Sequence, residues 1–499
     1  VTSAYQTLEA RFRRAALVEE AAGFLHWDAS VMMPEGSAAS RAEQIAALQV
    51  IAHELLSAPD MAELLDAAAG DATLDVWRAA NLREMRRRWI HATALDADLV
   101  AARTRANSAC EMAWRQARPK SDFDAVLPFL EEVLRLTLEA GQAKADRLGT
   151  SVYDALLDQF EPDGRAAEID PVFDDLAGFL PGFVDAAIER QAEHPPLPLD
   201  GPFPVDKQRA LGLRIMQAIG FDFTKGRLDE SLHPFTGGTP DDLRITTRFA
   251  DAEFLSALMA VIHETGHALY EAQLPAAWRH QPVGEARGMV VHESQSLLLE
   301  MQACRSREYL TFAAPLMRRA FGSDGPAWQV DNLFRLSTAV ARGLVRVDAD
   351  EATYPAHVIL RYRLERAIVA GDLALADLPG AWDDGMAALL GVRPPEDRLG
   401  CLQDIHWYDG AWGYFPTYTL GAMAAAQLFD AARAADARIV PSIAHGDFRP
   451  LLAWLGENVH GKGSLLSTRE LLTAATGGPL DPAVFKAHLK RRYLDGEAA

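Results

Sequence analysis

The stretch Val261-Ile262-His263-Glu264-Thr265-Gly266-His267-Ala268-Leu269 carries the first decision about this chain. Upstream of it, Phe254, Leu255, Leu258, Met259 and Ile262 are apolar at helical spacing, which predicts a mostly buried helix. Two histidines four positions apart on a helix project from one face, close enough to share one ion. Glu264 lies beside that face, within reach of a water on the ion. The chemistry this set suits is peptide hydrolysis, which needs a strong nucleophile at neutral pH. Zinc lowers the pKa of its water to about 7 and polarises a scissile carbonyl. Glu264 would take the water's proton and later pass it to the leaving amine.

A catalytic zinc usually has three protein ligands and one open position. The third is expected from Val290-Val291-His292-Glu293-Ser294-Gln295-Ser296-Leu297, which starts another helical pattern. Both Glu293 and His292 qualify on residue type.

Working outward, helical periodicity dominates. Ile45, Leu48, Ala52 and Leu55 form one stripe, and Val126, Leu130, Val133, Leu136 and Ala140 another; Tyr5, Leu8 and Phe12 suggest a third helix. Strand signals are sparse. The best is Leu243 to Phe249, alternating and β-branched, after the turn-rich Thr236-Gly237-Gly238-Thr239-Pro240. The expected fold is therefore mainly α, with a small β-sheet next to the metal helix. Residues 194–204 hold five prolines and read as a surface linker; Arg393-Pro394-Pro395-Glu396-Asp397 is a second break. The 499 residues are taken as one domain, the alternative being two helical lobes around a groove with the linker near 194–204.

A formal charge of −21 argues against nucleic acid as a partner. The run Arg86-Arg87-Arg88 reads as a solvated helix face rather than an anion site. No apolar run approaches the ~18 residues of a membrane span, and the start, Val1-Thr2-Ser3-Ala4-Tyr5, lacks a signal-peptide plan. Three spaced cysteines, Cys110, Cys304 and Cys401, make no disulfide framework and fit a reducing cytosol.

Further motifs extend the pattern: His26-Trp27-Asp28, Met33-Pro34-Glu35-Gly36, His233-Pro234-Phe235, Asp242-Leu243-Arg244-Ile245-Thr246, Gln403-Asp404-Ile405-His406-Trp407 and Gly413-Tyr414-Phe415-Pro416-Thr417-Tyr418. Together with the two metal motifs and in this order, the chain resembles the carboxypeptidase Taq family of metallocarboxypeptidases along almost its whole length. The resemblance implies a cytoplasmic homodimer that removes C-terminal residues one at a time. It also implies a gluzincin-like helical fold with zinc at the bottom of a long groove, and cobalt as a workable substitute. It makes Glu293 the third ligand, demotes His292 to a supporting role and places His233 with the substrate-binding residues. One departure is the segment Trp407-Tyr408-Asp409-Gly410-Ala411-Trp412, richer in large aromatics than expected.

An exopeptidase must recognise a free carboxylate, and an arginine fork is the natural device. Arg346, Asp350, His357 and Arg361 fall on one face if Gly343 to Ile368 is one helix, with Tyr354 nearby. Arg346 is preferred to Arg361; the competing reading is a solvated face with an Arg346–Asp350 ion pair. Tyr414 is the first choice for a donor to the oxyanion, with His406 and Tyr418 as alternatives. The strand from Leu243 could pair with an extended peptide. Alternatively Asp242, Arg244 and Thr246 support the metal ligands. The rival activities are an endo-acting zinc oligopeptidase on the same scaffold and a non-catalytic helical interaction protein. Retention of Glu264 and of every ligand speaks against the second.

Overall fold

The computed structural model describes residues 3–495. It is mainly helical, with one three-stranded sheet. The helices follow the apolar stripes. In Phe123–Leu148 the whole Val126, Leu130, Val133, Leu136, Ala140 row is buried. In Ala38–Leu56 the stripe is shallower, burying Ile45 and Ala52. The first helix, Ala4–Val31, starts at a Ser3–Gln6 capping box and packs along Ala38–Leu56. Its Tyr5, Leu8 and Phe12 join Leu56, Met61, Leu65 and Met85 in a small core separate from the main one.

The sheet sits beside the metal helix. Strand β1 (Gly226–Glu230) pairs in parallel with β3 (Asp242–Thr247), and β2 (Phe235–Thr239) pairs antiparallel on the other side. Two sequence expectations change here. Thr236–Gly238 is strand rather than turn, because the reversal is tighter: Thr239 faces Asp242 across Pro240-Asp241. Gly238 makes this possible, at φ +95 and with the Asp242 carbonyl 2.0 Å from where a Cβ would stand. And β3 is the central strand, paired on both sides, so it offers no edge to a peptide. The edge beside the metal helix belongs to β2.

The expected helix from Gly343 to Ile368 is also shorter. Arg346–Asp348 forms a single 3-10 turn, and the helix runs Tyr354–Ala370. Pro355 fits only the first turn, and the Asp350 carboxylate accepts N–H bonds from Ala352 and Thr353, which ends the preceding loop. Arg346 and Arg361 therefore do not share a helix face, and Asp350 is spent on backbone instead of on Arg346.

The proline segment connects Ala166–Ala192 to Val205–Ile219 without helix. It is fastened down: Leu197 exchanges backbone bonds with the Asn332 side chain, and Phe203 packs against Phe254 and Phe321. The arginine run on Val76–Thr93 is ion-paired rather than merely solvated: Arg86 to Asp66, Arg87 to Glu84, Arg88 to Glu285. No described helix is long and apolar enough to cross a membrane.

Candidate metal centre and peptide cavity

The Leu255–Ala272 helix buries Leu258, Val261, Ile262, Ala268 and Leu269, and this apolar side fixes its rotation. His263, Glu264 and His267 then face a cavity of about 940 Å³. The second helix, Met289–Leu297, crosses the first at Gly266. A Cβ there would stand 2.5 Å from the Gln295 carbonyl oxygen and 2.6 Å from the Ser296 Cα. Only glycine permits this approach, and it brings Glu293 to the two histidines. The N-terminus of the second helix is held by Glu161, whose carboxylate accepts the Val290 N–H at 3.0 Å.

Glu293 Oε2 lies 3.9 Å from His263 Nε2 and 3.5 Å from His267 Nε2. One ligand atom from each of the three lies within 4.8 Å of the others. That spacing fits a shared ion at ~2.0–2.2 Å from each donor. His292 is not part of this set.

The outer nitrogens are engaged too. His263 Nδ1 is 3.0 Å from Glu300 Oε2, and Arg305 donates to Glu300 Oε1 at 2.6 Å. His267 Nδ1 is 2.7 Å from His292 Nδ1, and His292 Nε2 is 2.9 Å from Glu271. These contacts turn both Nε2 atoms inward, as ligating imidazoles require. Glu300 reaches its place because the second helix continues as a π-helical segment, Leu298–Ala303. Burial opposes charge on His263, but Glu293 and the Glu300 hydrogen bond outweigh it and push its pKa up to about 10. Burial, with repulsion from His292 and His263, lowers His267. Burial works to raise Glu293, yet the attraction of His263 and His267 holds it below the usual carboxylate range.

Glu264 accepts the Thr236 hydroxyl at Oε2, 2.7 Å away, so β2 clamps this carboxylate. The cavity is also lined by Arg346, Tyr354, Tyr414 and Tyr418. The Arg346 guanidinium lies over the Tyr418 ring at 4.8 Å. Burial raises the pKa of both Tyr414 and Tyr418, which keeps them as donors.

Several expected site residues lie elsewhere. Arg361 is fully buried and does not line the cavity; its Nε donates to Asp404 at 2.6 Å. His406 sits behind Tyr418, with its Nε2 3.3 Å from the hydroxyl, and burial lowers its pKa to about 4. His233 is exposed in the loop before β2, where its neighbours Pro234 and Phe235 line the cavity. Asp242 and Arg244 pair with each other at 2.8 Å, and Arg244 lies over Trp27 and Phe24. They brace the sheet against the first helix rather than orienting a ligand. Thr246 accepts the Phe235 N–H and stitches β3 to β2. On the other side of the ledger, Glu300, Glu271, Thr236 and Asp404 are working contacts absent from the sequence-derived set. Glu300 carried one usable signal: it lies seven positions after Glu293, two helical turns on.

The chain also resembles known proteins along nearly its whole length. The model of the carboxypeptidase Taq (M32) metallopeptidases matches residues 7–493. The chain is 36% identical over 504 residues to thermostable carboxypeptidase 1 of Thermus thermophilus, covering 98% of each. The structure of Trypanosoma cruzi metallocarboxypeptidase 1 superposes with a TM-score of 0.96 at 39% identity, covering 99% of each chain. An apo–magnesium form of a Pyrococcus furiosus carboxypeptidase does so with a TM-score of 0.92 at 31% identity, again covering 99% of each. A match over nearly the whole chain, meeting a three-ligand cluster and a clamped glutamate, leaves one conclusion: the chain belongs to the carboxypeptidase Taq (M32) family and is a metallocarboxypeptidase.

Proposed function

We propose that the chain releases C-terminal amino acids from peptides, with a divalent ion held by His263, His267 and Glu293 and with Glu264 as general base and acid. The observation that carries this reading is the three-donor cluster sharing one cavity with Glu264 and Arg346. Two imidazoles and one carboxylate suit zinc, and cobalt also fits; nitrogen donors are a poor match for magnesium. When bound, the ion supplies Lewis-acid polarisation of the scissile carbonyl and acidifies water.

The remaining steps belong to side chains. Thr236 fixes one Glu264 oxygen, which leaves the other to accept a proton from the attacking water. The same carboxyl then protonates the leaving nitrogen. Tyr414, with Tyr418 beside it, donates to the oxyanion that develops at the carbonyl. His406 holds the Tyr418 hydroxyl from behind. Arg346 receives the peptide's terminal carboxylate. His233 acts on substrate through the position of its loop.

Three buried free cysteines suit a reducing cytoplasm, and the homodimer is part of the same proposal, checked by light scattering. Glu264→Gln tests the mechanism: metal content should stay while turnover falls on the order of 10²–10⁴-fold. Unchanged turnover would remove Glu264 from the chemistry. An endo-acting oligopeptidase is the second reading, and Arg346 speaks against it. Peptides with amidated C-termini should survive, whereas internal cuts in them would favour the oligopeptidase.

A further inference from the structure

Asp404 is shared between two arginines. Arg346 donates to Oδ1 through Nη2 at 2.8 Å and Nε at 3.2 Å, and its Nε also reaches Oδ2 at 3.3 Å. Arg361 donates to Oδ2 through Nε at 2.6 Å. Its Nη1 donates to the His357 carbonyl at 2.7 Å and its Nη2 to the Gln403 side-chain oxygen at 2.7 Å. That same oxygen accepts the Arg346 backbone N–H at 2.8 Å, and Gln403 is itself tied to the Leu344 and Leu399 carbonyls. Arg361 is thus locked on every edge and sealed from the cavity.

Two features of this cluster ask for a ligand. First, Arg346 gives Asp404 its Nε–Nη2 edge. A guanidinium has a second two-donor edge, Nη1–Nη2, which the Asp404 pairing leaves over; the Tyr354 hydroxyl also bonds the Arg346 side chain, and both residues line the cavity. Second, the charges do not balance. Two guanidiniums face one carboxylate. His357 and His406, packed beside them, stay neutral: burial, aided by the two arginines and opposed by Asp404, lowers their pKa values to about 3 and about 4. Burial, opposed by Asp404 and aided by Arg346, brings even Arg361 down to about 10. A surplus positive charge buried in this cluster is costly, and an anion bonded directly to the Arg346 edge would offset it.

We propose that Arg361 is a positioning residue acting through Asp404: by sharing that one carboxylate it keeps Arg346 from being neutralised, so that the outer edge of Arg346 stays charged and aimed at the peptide's C-terminal carboxylate. This rests on the reading that Arg346 is the carboxylate anchor. Without Arg361, Arg346–Asp404 is a closed, neutral ion pair, and a peptide carboxylate would have to compete with Asp404.

The test compares Arg361→Gln, Arg361→Lys and Arg346→Gln in the full-length, metal-loaded enzyme. Each is assayed on a free peptide and its amidated twin. Arg361→Gln should raise KM for the free peptide on the order of tenfold to fiftyfold, with kcat less affected and the amidated twin bound as before. Arg361→Lys keeps the charge and should return KM to within about threefold of the parent. A packing role predicts the opposite, since lysine loses the bonds to Gln403 and the His357 carbonyl as glutamine does. The proposal is overturned if Lys and Gln raise KM alike, or if Gln leaves it unchanged. Should Arg361→Gln fail to fold, the Lys variant decides alone: a tenfold rise in KM refutes the charge role. If Arg346→Gln leaves the preference for free over amidated peptide intact, the anchor reading itself fails. If Arg346→Gln abolishes that preference and Arg361→Gln does not touch it, only the present proposal falls.

Discussion

Replacing Gly266 by alanine separates two accounts of how the metal centre is assembled. If the Leu255–Ala272 helix were an independent element, alanine would stabilise it by about 1 kcal/mol, because glycine is the weaker helix former. The structure predicts the opposite sign. The new Cβ would stand 2.5 Å from the Gln295 carbonyl oxygen and 2.6 Å from the Ser296 Cα, both backbone. Neither can rotate away, so the helices must part by roughly 0.9 Å to reach ordinary contact, a strain of about 1–3 kcal/mol. Ligand positions tolerate only about ±0.2 Å, and Glu293 moves with its helix. Strain relieved by separation is strain that metal binding must reverse, so the dissociation constant should rise roughly five- to 150-fold. Competition against a chelator of known affinity measures it, and thermal unfolding of the metal-free protein measures the rest. A variant that binds metal as tightly as the parent and melts higher would refute the reasoning, since helix propensity alone would then account for it.

The contacts behind the ligands give a second expectation: Glu300→Gln and His292→Ala should each weaken metal binding about 10–100-fold, read by the same competition, because each frees an Nδ1 that now fixes a ring. Glu351 is a buried carboxylate that accepts from Arg492, His488, Tyr493 and Gln302. Glu351→Gln should cost about 3–5 kcal/mol in denaturant unfolding, since it removes the charge of one member of the buried Arg492–Glu351 pair. Burial raises the Glu351 carboxyl, but Arg492 and His488 hold it well below its ordinary range; its contribution is therefore present above about pH 4 and fades as acid is added. Glu365 runs the other way. Burial lifts it to about 7 despite bonds from Trp407, Tyr153 and the Gly413 N–H. Its contribution is whole below about pH 4 and drains away as pH rises to 7, on the order of 3 kcal/mol. Unfolding midpoints from pH 5 to 8 should fall more steeply for the parent than for Glu365→Gln; parallel curves would refute this.

The metal helix was readable because two independent periodicities agreed on it. The apolar row fixed which side is buried, and the histidine spacing fixed which side chains face the cavity together. The β3 strand was readable for a similar reason, but its neighbours were not: alternation says that a strand has two faces, not which partners lie along its edges. The long helix expected through Arg346 failed on a local detail. Asp350 caps the backbone ahead of Pro355, and a polar spacing of four and seven looks the same on a helix and on a turn followed by one. Glu300 depends on the π-helical segment, whose extra residue per turn no apolar pattern announces. Asp404 stood in a quoted motif yet carried no role, because a loop carboxylate has no period to say what it meets.

The cavity's charge explains why that missing residue matters most. The chain carries −21 overall, and Glu264, Glu293, Glu300, Asp348 and Asp350 line the cavity. A peptide carboxylate enters against this field. Two arginines line the cavity among the described residues, Arg305 and Arg346. Arg305 is bound to Glu300, the partner of His263, and supports the metal centre. Arg346 would be consumed in the same way by Asp404 if the pair stood alone. The second arginine behind it changes the sum, and it does so from a position where no substrate reaches. A site of this kind is set by the count of charges around one carboxylate, which is a property of the fold rather than of any motif.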